Sequence, residues 1–308
     1  MTIVAVAGGS GSVGRTIVSG LVHHGGHKVF VLSRTAKKPQ DGVQYLPVNY
    51  ANVEATGKAL EENKIGTVIS AMSVMSPEVS AAQVNLVKAA QKSNSTRRFV
   101  VSAYDMMYTR DQIPEYPPAQ YAFEAVDALD QTDLEYTRVA NGFLSDYYGM
   151  PHYKTNLQPW TNFVNLEKKW ATIPGDGSAK AHYTTSWDVA RYVARLMDLE
   201  KWTKVSSICI ETLSISEVLA LAEKTRGPGF EVVYDDLEKL KSGKVTLDNV
   251  SPDYGVDQDE AQAMYAKIHY YAATGKYLVP TEDSLTSKFP EIVPKTVAQV
   301  MEESWQGK

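Results

Sequence analysis

Ile3-Val4-Ala5-Val6-Ala7-Gly8-Gly9-Ser10-Gly11-Ser12-Val13-Gly14-Arg15-Thr16-Ile17-Val18-Ser19-Gly20-Leu21-Val22 decides the fold. An apolar β-branched run passes through a glycine turn into an amphipathic pattern with no residues between them. That order predicts a buried strand feeding straight into a helix. The start of a helix carries unpaired N–H groups and partial positive charge, which suit a phosphate. Glycines recur as Gly8-x-x-Gly11-x-x-Gly14, offset from the commoner Gly-x-Gly-x-x-Gly. Gly8 suits a tight turn, Gly11 a close approach of backbone to pyrophosphate, and Gly14 close packing of the helix. A dinucleotide is the expected ligand, held by Gly8, Ser10, Gly11, Ser12, Val13 and Gly14. A turn that serves only helix packing is the plainer alternative.

Outward from this stretch, short β-branched runs alternate with helical patterns. Strands are predicted at Ile3–Ala7, Lys28–Leu32, Val43–Leu46, Thr67–Ala71, Arg98–Val101 and Glu135–Val139. Helices are predicted at Ser12–His23, Ala51–Glu62, Pro77–Lys92 and Pro118–Leu129. Ser76-Pro77-Glu78 supplies a cap, a first-turn proline and an acid at the positive helix end. Such alternation implies an α/β fold with a doubly wound parallel (Rossmann) sheet, in strand order 3-2-1-4-5-6. After Met150 the pattern changes, and residues 151–180 show no clean period. Helices at Trp187–Leu199, Ser214–Thr225, Asp257–Thr274 and Pro294–Trp305, and strands at Ser206–Ile210 and Glu231–Tyr234, complete the reading. Residues 1–150, rejoined by 181–210, are expected to form the cofactor domain. Residues 151–180 and 211–308 are expected to form a smaller C-terminal substrate lobe.

The end of the second strand should meet the adenine ribose, where an NAD enzyme usually places an acid. Here stand Ser33-Arg34-Thr35, with Lys37 and Lys38 behind. A carboxylate would repel a 2′-phosphate, whereas Arg34 can fork onto it and Ser33 or Thr35 can donate to it. NADP(H) is therefore the expected cofactor, with Ser33, Arg34, Thr35 and Lys38 at the 2′-phosphate. A solvated basic loop is the alternative. Tyr50 is placed to border the adenine.

The 308 residues are 44% apolar and 22% charged, with a net charge of −5. This balance gives no basic face for nucleic acid. The one cysteine, Cys209, sits in an apolar run. Without a second cysteine no internal disulfide can form, which fits a reducing cytoplasm. No apolar run approaches the ~20 residues of a membrane span. Neither membrane nor nucleic-acid partners are expected, and a monomer or homodimer is.

Val6–Gly14, Arg97-Arg98-Phe99-Val100-Val101-Ser102 and Leu134-Glu135-Tyr136-Thr137-Arg138-Val139 with Gly142-Phe143 resemble the NmrA-like group. This group of atypical short-chain dehydrogenases includes the isoflavone-reductase-like enzymes. Ile173-Pro174-Gly175-Asp176-Gly177, Thr184-Thr185 and Asp188-Val189-Ala190 resemble the segment where those chains return to the sheet. The resemblance implies an NADP(H) pocket. It also implies either a reductase of aromatic and other secondary metabolites or a redox-sensing regulator that catalyses nothing.

Substrate and cofactor should meet beyond the carboxyl ends of the strands. Ala71 and Met72 after the fourth strand and Ser102 after the fifth are expected to flank the cofactor. Ordinary short-chain dehydrogenases use Tyr-x-x-x-Lys. In this chain Tyr121 is followed by Ala125 at the lysine position. Isoflavone-reductase-like enzymes place a lysine near the start of the same helix, yet no lysine or arginine lies between Arg110 and Arg138. The candidates for proton transfer are then Tyr104, Ser102, Tyr121, Asp105 and His152. Lys154 is a candidate for the missing charge. Tyr108, Phe143, Tyr147 and Tyr148 are expected at the substrate, with Tyr116, Tyr153, Trp160 and Phe163 as further aromatics near it. Met106–Pro118, rich in proline, reads as a lid. His23, His24 and His27 cluster at the end of the first helix, remote from the expected site, lack a convincing companion carboxylate and read as surface residues, so no metal is assigned. Three functions remain: an NADPH-dependent reductase of a small aromatic or polyketide-like compound, a non-redox cyclase or isomerase that keeps the pocket, and an NAD(P)-sensing regulator.

Overall fold

The structure, a computed structural model, describes residues 2–247 and 258–308. The first part of the chain alternates β1 (Thr2–Ala7), α1 (Ser12–His24), β2 (His27–Ser33), β3 (Val43–Pro47), α2 (Val53–Glu62), β4 (Thr67–Ser70), α3 (Pro77–Lys92), β5 (Arg98–Asp105), α4 (Pro117–Leu129) and β6 (Glu135–Ala140). Then come β7 (Phe143–Leu144), β8 (Val164–Asn165), β9 (Trp170–Pro174), β10 (Lys180–Thr184), α5 (Ser186–Leu196), β11 (Val205–Ser207), β12 (Glu211–Ser214), α6 (Ile215–Arg226), β13 (Glu231–Asp235), α7 (Leu237–Lys241), α8 (Gln258–Ala273), α9 (Leu285–Lys288) and α10 (Val297–Trp305). The expected start of α8 at Asp257 lies outside the described residues.

Seven strands form one parallel sheet in the order β11-β6-β5-β4-β1-β2-β3. This is the expected 3-2-1-4-5-6 sheet with one more strand, β11, at the β6 edge. Its order reverses between β1 and β4, which pair from Val4↔Thr67 to Ala7↔Ser70. The chain leaves these two strands in opposite directions, so a crevice opens beyond Ala7 and Ser70.

Alternate residues of each strand feed two cores. Val4, Val6, Val29, Val31, Ile69 and Val100 pack with Ile17, Leu21, Val189 and Val193 of α1 and α5. Ala5, Ala7, Phe30, Leu32, Val68, Phe99 and Val101 face Leu60, Leu86, Val87 and Ala122 of α2, α3 and α4. Burial on both faces explains why these strands read as continuous apolar runs. Each full-sized aliphatic side chain so buried contributes about 1.5–3 kcal/mol.

Two further sheets have three strands each, β12-β10-β7 and β13-β9-β8. The segment 151–180, which shows no period in sequence, contains β8 and β9. Strands of two to five residues among Pro, Asn and Lys are too short to show an alternation. The expected strand at Ser206–Ile210 ends at Ser207. Cys209 follows it, partly buried, its thiol donating to the Pro280 carbonyl at 3.1 Å and pushed up to about 11 by burial. Among the described residues, no helix is long and apolar enough to cross a membrane.

Met106–Pro118 is a fixed wall rather than a free lid. Met106, Tyr108 and Tyr116 are buried in the main core. Tyr116 packs edge-on against Tyr271 at 5.4 Å, and Glu115 pairs with Lys267 at 2.9 Å. The apolar side chains in this proline-rich stretch have a core to enter.

Helices α1 and α5 meet at Gly20, where an added Cβ would lie 2.7 Å from the Ala190 carbonyl oxygen. Gly20→Val should force them apart and destabilise the protein by about 1–3 kcal/mol in urea unfolding. An unchanged midpoint would contradict this contact.

Candidate active site

Beyond Ala7 the chain turns at Gly8, whose φ of +75° is left-handed. A side chain there would also collide with Ala71 O, 2.4 Å from the position of a Cβ. Gly11 N–H closes the turn on Gly8 O at 2.8 Å. Gly14 then passes so close that a Cβ would stand 2.2 Å from Gly8 O. The glycine at the helix start thus packs on the turn itself. Gly11 caps α1 without a side chain, and the first helical turn holds no acid. Ser12, Val13 and Gly14 therefore direct uncapped N–H groups into the crevice. That cradle fits a pyrophosphate.

Two hollows meet at the cradle, sharing Gly8, Gly11 and Met72. One, of about 430 Å³, is lined by Ser10, Leu32, Ser33, Arg34, Thr35, Lys37 and Tyr50 and by no acidic residue. Ser33 Oγ donates to Thr35 O at 2.5 Å, which curls the loop after β2. Burial pushes the Tyr50 hydroxyl up to about 12, against the pull of the nearby Arg34. Arg34 is where the sequence places it. Lys37, rather than the expected Lys38, lines the hollow, and its ammonium also lies over the Tyr45 ring of the neighbouring groove, 5.5 Å away.

The other hollow, about 410 Å³, is lined by Ser12, Val13, Ala71, Met72, Ser102, Tyr104, Asp105, Tyr108, Pro118, Tyr147, Leu157 and Gln158, among others. It brings together residues from the ends of β1, β4 and β5, the first turns of α1 and α4, and the segment after β6. Ser102 Oγ donates to Met72 O at 2.7 Å, and Ser102 N–H donates to Gln83 Oε1 at 3.0 Å. Ser102 thus ties β5 to the wall beside the cradle. The Tyr104 hydroxyl is buried without a hydrogen-bond partner, and burial pushes it far above the ordinary tyrosine value. Its ring lines this hollow and also packs against the core on the α1 side of the sheet.

Asp105 lies at a bulge, where the β5–β6 register shifts between Val101 and Asp105. Such irregularities re-aim side chains at sheet ends. Its carbonyl accepts from Asn141 N–H at 2.9 Å and Gly142 N–H at 3.2 Å, which clamps the strand end. Its carboxyl accepts from the Tyr108 hydroxyl at 2.8 Å. Burial pushes that carboxyl up to about 6, although hydrogen bonds from Tyr108, the Met106 backbone and Tyr277 pull the other way. Tyr108 is raised well above the ordinary value by burial, then by Asp105 and Tyr116, so it stays protonated. Arg138 of β6 donates to Tyr108 O at 3.0 Å and lies over the Phe123 ring at 4.8 Å. Arg138 thus places a cation behind Tyr108, outside the lining of this hollow.

Several sequence candidates lie elsewhere. Tyr121 is buried and lines none of the hollows, because α4 presents Pro118 to the crevice. His152 and Lys154 line a separate surface hollow with Tyr153, Trp187 and Lys295, and His152 binds Lys308 Nζ at 2.9 Å and packs on Trp305. The cis peptide at Met150-Pro151 lies between Tyr147 and this group. Phe143 stacks on Tyr277 at 3.7 Å and packs edge-on to Phe163 at 5.0 Å, inside the core. Tyr148 is also core, whereas its neighbour Tyr147 faces the hollow, because the tight 3-10 turn Ser145–Gly149 directs them apart. Trp160 supports Tyr147 edge-on at 5.0 Å. Buried Asp146 holds this turn by accepting from Ser186 N–H at 2.7 Å and Thr155 Oγ1 at 2.7 Å. Tyr277 and Arg138, which sequence reasoning missed as site residues, lie far from Asp105 along the chain and carry no local motif.

A sheet that reverses beside a glycine cradle, with a second hollow beyond it, defines a dinucleotide-binding short-chain dehydrogenase architecture. The family model of the NmrA-like family matches residues 1–303, and the chain belongs to that family. Oxidoreductase swnN of Metarhizium robertsii is 28% identical, across 100% of this chain and 98% of its own. Oxidoreductase BOA1 of Botryotinia fuckeliana is 35% identical over 230 residues, 74% of this chain and 77% of its own. The solved structure of AtPrR2 with NADP+ and (+)pinoresinol shares the fold, with a TM-score of 0.75, 20% identity and 98% of each chain covered.

Arg34→Ala should weaken NADPH binding roughly tenfold, a charged hydrogen bond at an exposed position, and leave NADH nearly unchanged. Titration calorimetry with both cofactors reads this difference. Equal losses would contradict a 2′-phosphate at Arg34.

Proposed function

We propose that the protein is an NADPH-dependent reductase of a small aromatic or polyketide-like compound, with Asp105 and Tyr108 as its proton source. The observation that carries this reading is the hydrogen-bonded Asp105–Tyr108 pair in the same hollow as the glycine cradle. The oxidoreductase names of its relatives and the aromatic ligand of AtPrR2 support it. Residues 1–150 hold the cofactor in this reading. Leu157 and Gln158, from the segment 151–180, border the substrate side together with Tyr147.

Gly8, Gly11 and the N–H groups of Ser12, Val13 and Gly14 would hold the pyrophosphate, while Arg34 and Lys37 would hold the 2′-phosphate. Bound there, NADPH supplies a hydride. Met72, Tyr104 and Tyr147 give the substrate side apolar and aromatic walls that suit a flat ligand. Reduction of a carbonyl places negative charge on its oxygen, which must gain one proton. Tyr108 gives its hydroxyl proton to that oxygen and takes one from the protonated Asp105 carboxyl. Arg138, bound to the Tyr108 carbonyl, positions the donor.

The acid form of Asp105 is the active one, so reduction should slow as pH rises through about 6. Asp105→Asn should abolish this limb and lower kcat by roughly 10²–10⁴. A pH–rate profile unchanged in the variant would remove Asp105 from the mechanism. The same raised pKa acts on stability. Between the ordinary carboxylate value and about 6 the folded protein holds a proton that the unfolded chain releases. Stability should therefore decline with rising pH across that window, and Asp105→Asn should flatten the decline in urea unfolding.

With aromatic ketones and enones as test substrates, NADPH absorbance should fall in step with product. An acid–base pair also suits a cyclase or isomerase, and product formed at constant nicotinamide absorbance would favour that function. Binding of NADPH with no turnover of any member of such a panel would favour the regulator.

A further inference from the structure

At the opposite end of the sheet from the crevice, α1 and α5 finish side by side. Their close contact at Gly20 and Ala190 brings the last residue of α1, His24, beside Asp198, just after α5. Gly25 and Gly26, with φ of +75° and +72°, then double the chain back so that His27 opens β2 under His24. The two imidazoles stack at 5.3 Å with 25° between their planes. His24 Nε2 lies 3.1 Å from Asp198 Oδ2, and His27 Nε2 lies 3.9 Å from Asp198 Oδ1. One ligand atom from each of the three residues falls within 4.8 Å of the others. The companion carboxylate that the sequence lacked near these histidines is therefore present, brought from far along the chain.

We propose that His24, His27 and Asp198 form a binding site for a divalent transition-metal ion of the zinc class. The second observation is His27 itself. Its side chain is only 5% exposed, and neither ring nitrogen has a hydrogen-bond partner. A buried polar ring without a partner is costly, and a metal bond at Nε2 would satisfy it. Two imidazoles and one carboxylate, with a position left to water, suit a tetrahedral zinc-class ion. The carboxyl ends of two helices add partial negative charge. Arg195 Nε forms an ion pair with Asp198 Oδ2 at 3.0 Å. Its guanidinium also pairs with Glu291 at 2.6 Å and covers the Phe289 ring at 4.4 Å, which holds it to one side. Oδ1, 3.4 Å from His24 Nε2 and 3.9 Å from His27 Nε2, completes the set, and Arg195 orients the carboxylate from behind. His23 lies apart, lining the groove outside the glycine turn.

The test is titration of the EDTA-treated full chain with ZnCl2 by calorimetry, and with CoCl2 by visible absorption. One zinc per chain should bind, and Co2+ should give the intense d–d bands of a four-coordinate site. His27→Ala and Asp198→Asn should each weaken zinc by more than roughly 100-fold, beyond the loss expected for an outer partner. His23→Ala should leave binding unchanged. Circular dichroism checks folding, and the more exposed His24→Ala serves in place of His27→Ala should that variant not fold. No stoichiometric zinc in the wild type would overturn the proposal. So would zinc binding that survives both His27→Ala and Asp198→Asn.

Discussion

Everything in the crevice depends on one close approach, the passage of Gly14 beneath the Gly8 carbonyl. Any side chain at position 14 would push α1 away from the turn and carry its N–H groups with it. The left-handed Gly8 and the uncapped Gly11 serve the same geometry. Together they leave a helix start with no internal partner for its donors beside the point where the sheet order reverses. A polyanion is the natural complement to that arrangement. The loop after β2, whose Arg34 and Lys37 line an adjoining hollow without an acidic residue in its lining, extends it toward a 2′-phosphate.

The chemistry beyond the cradle depends on a second constraint, the clamping of Asp105. Two N–H groups from the turn after β6 grip its carbonyl, and the bulge in β5 turns its carboxyl into the hollow. In the proposed mechanism, burial of Asp105 does what a lysine does in ordinary short-chain dehydrogenases, by the opposite route. A lysine lowers a tyrosine's pKa so that it titrates in a useful range. Here the tyrosine remains neutral, and the carboxyl is raised to about 6, so it still holds a proton in mildly acidic solution. The absence of both usual lysines from α4 is thereby compatible with proton delivery from β5.

Most of the fold was legible in the sequence because its signals are local. β1, α1 and α3 carry their strand runs, turns and caps within a few residues, and Ser76 accepts from Val79 N–H as its place before Pro77 predicts. The cofactor cradle was legible for the same reason. What failed to show was set by contacts between distant parts of the chain. Phe143 and Tyr148 read as cleft aromatics and pack inward, because partners such as Tyr277 and Tyr183 arrive from later segments. Lys37 lines the cofactor hollow in place of Lys38. Asp198 reaches His24 and His27 only through the packing of α1 on α5. β8 and β9 are too short for any periodicity to reveal them.

The most direct test of the central claim, that this cradle and acid pair serve hydride reduction, is isotope transfer. The protein would be incubated with an aromatic ketone substrate and NADPH carrying deuterium at C4 on each face in turn, and the product analysed by mass spectrometry. The account requires one deuterium at the former carbonyl carbon from one face of the nicotinamide and none from the other. Product that forms without label from either face would contradict it.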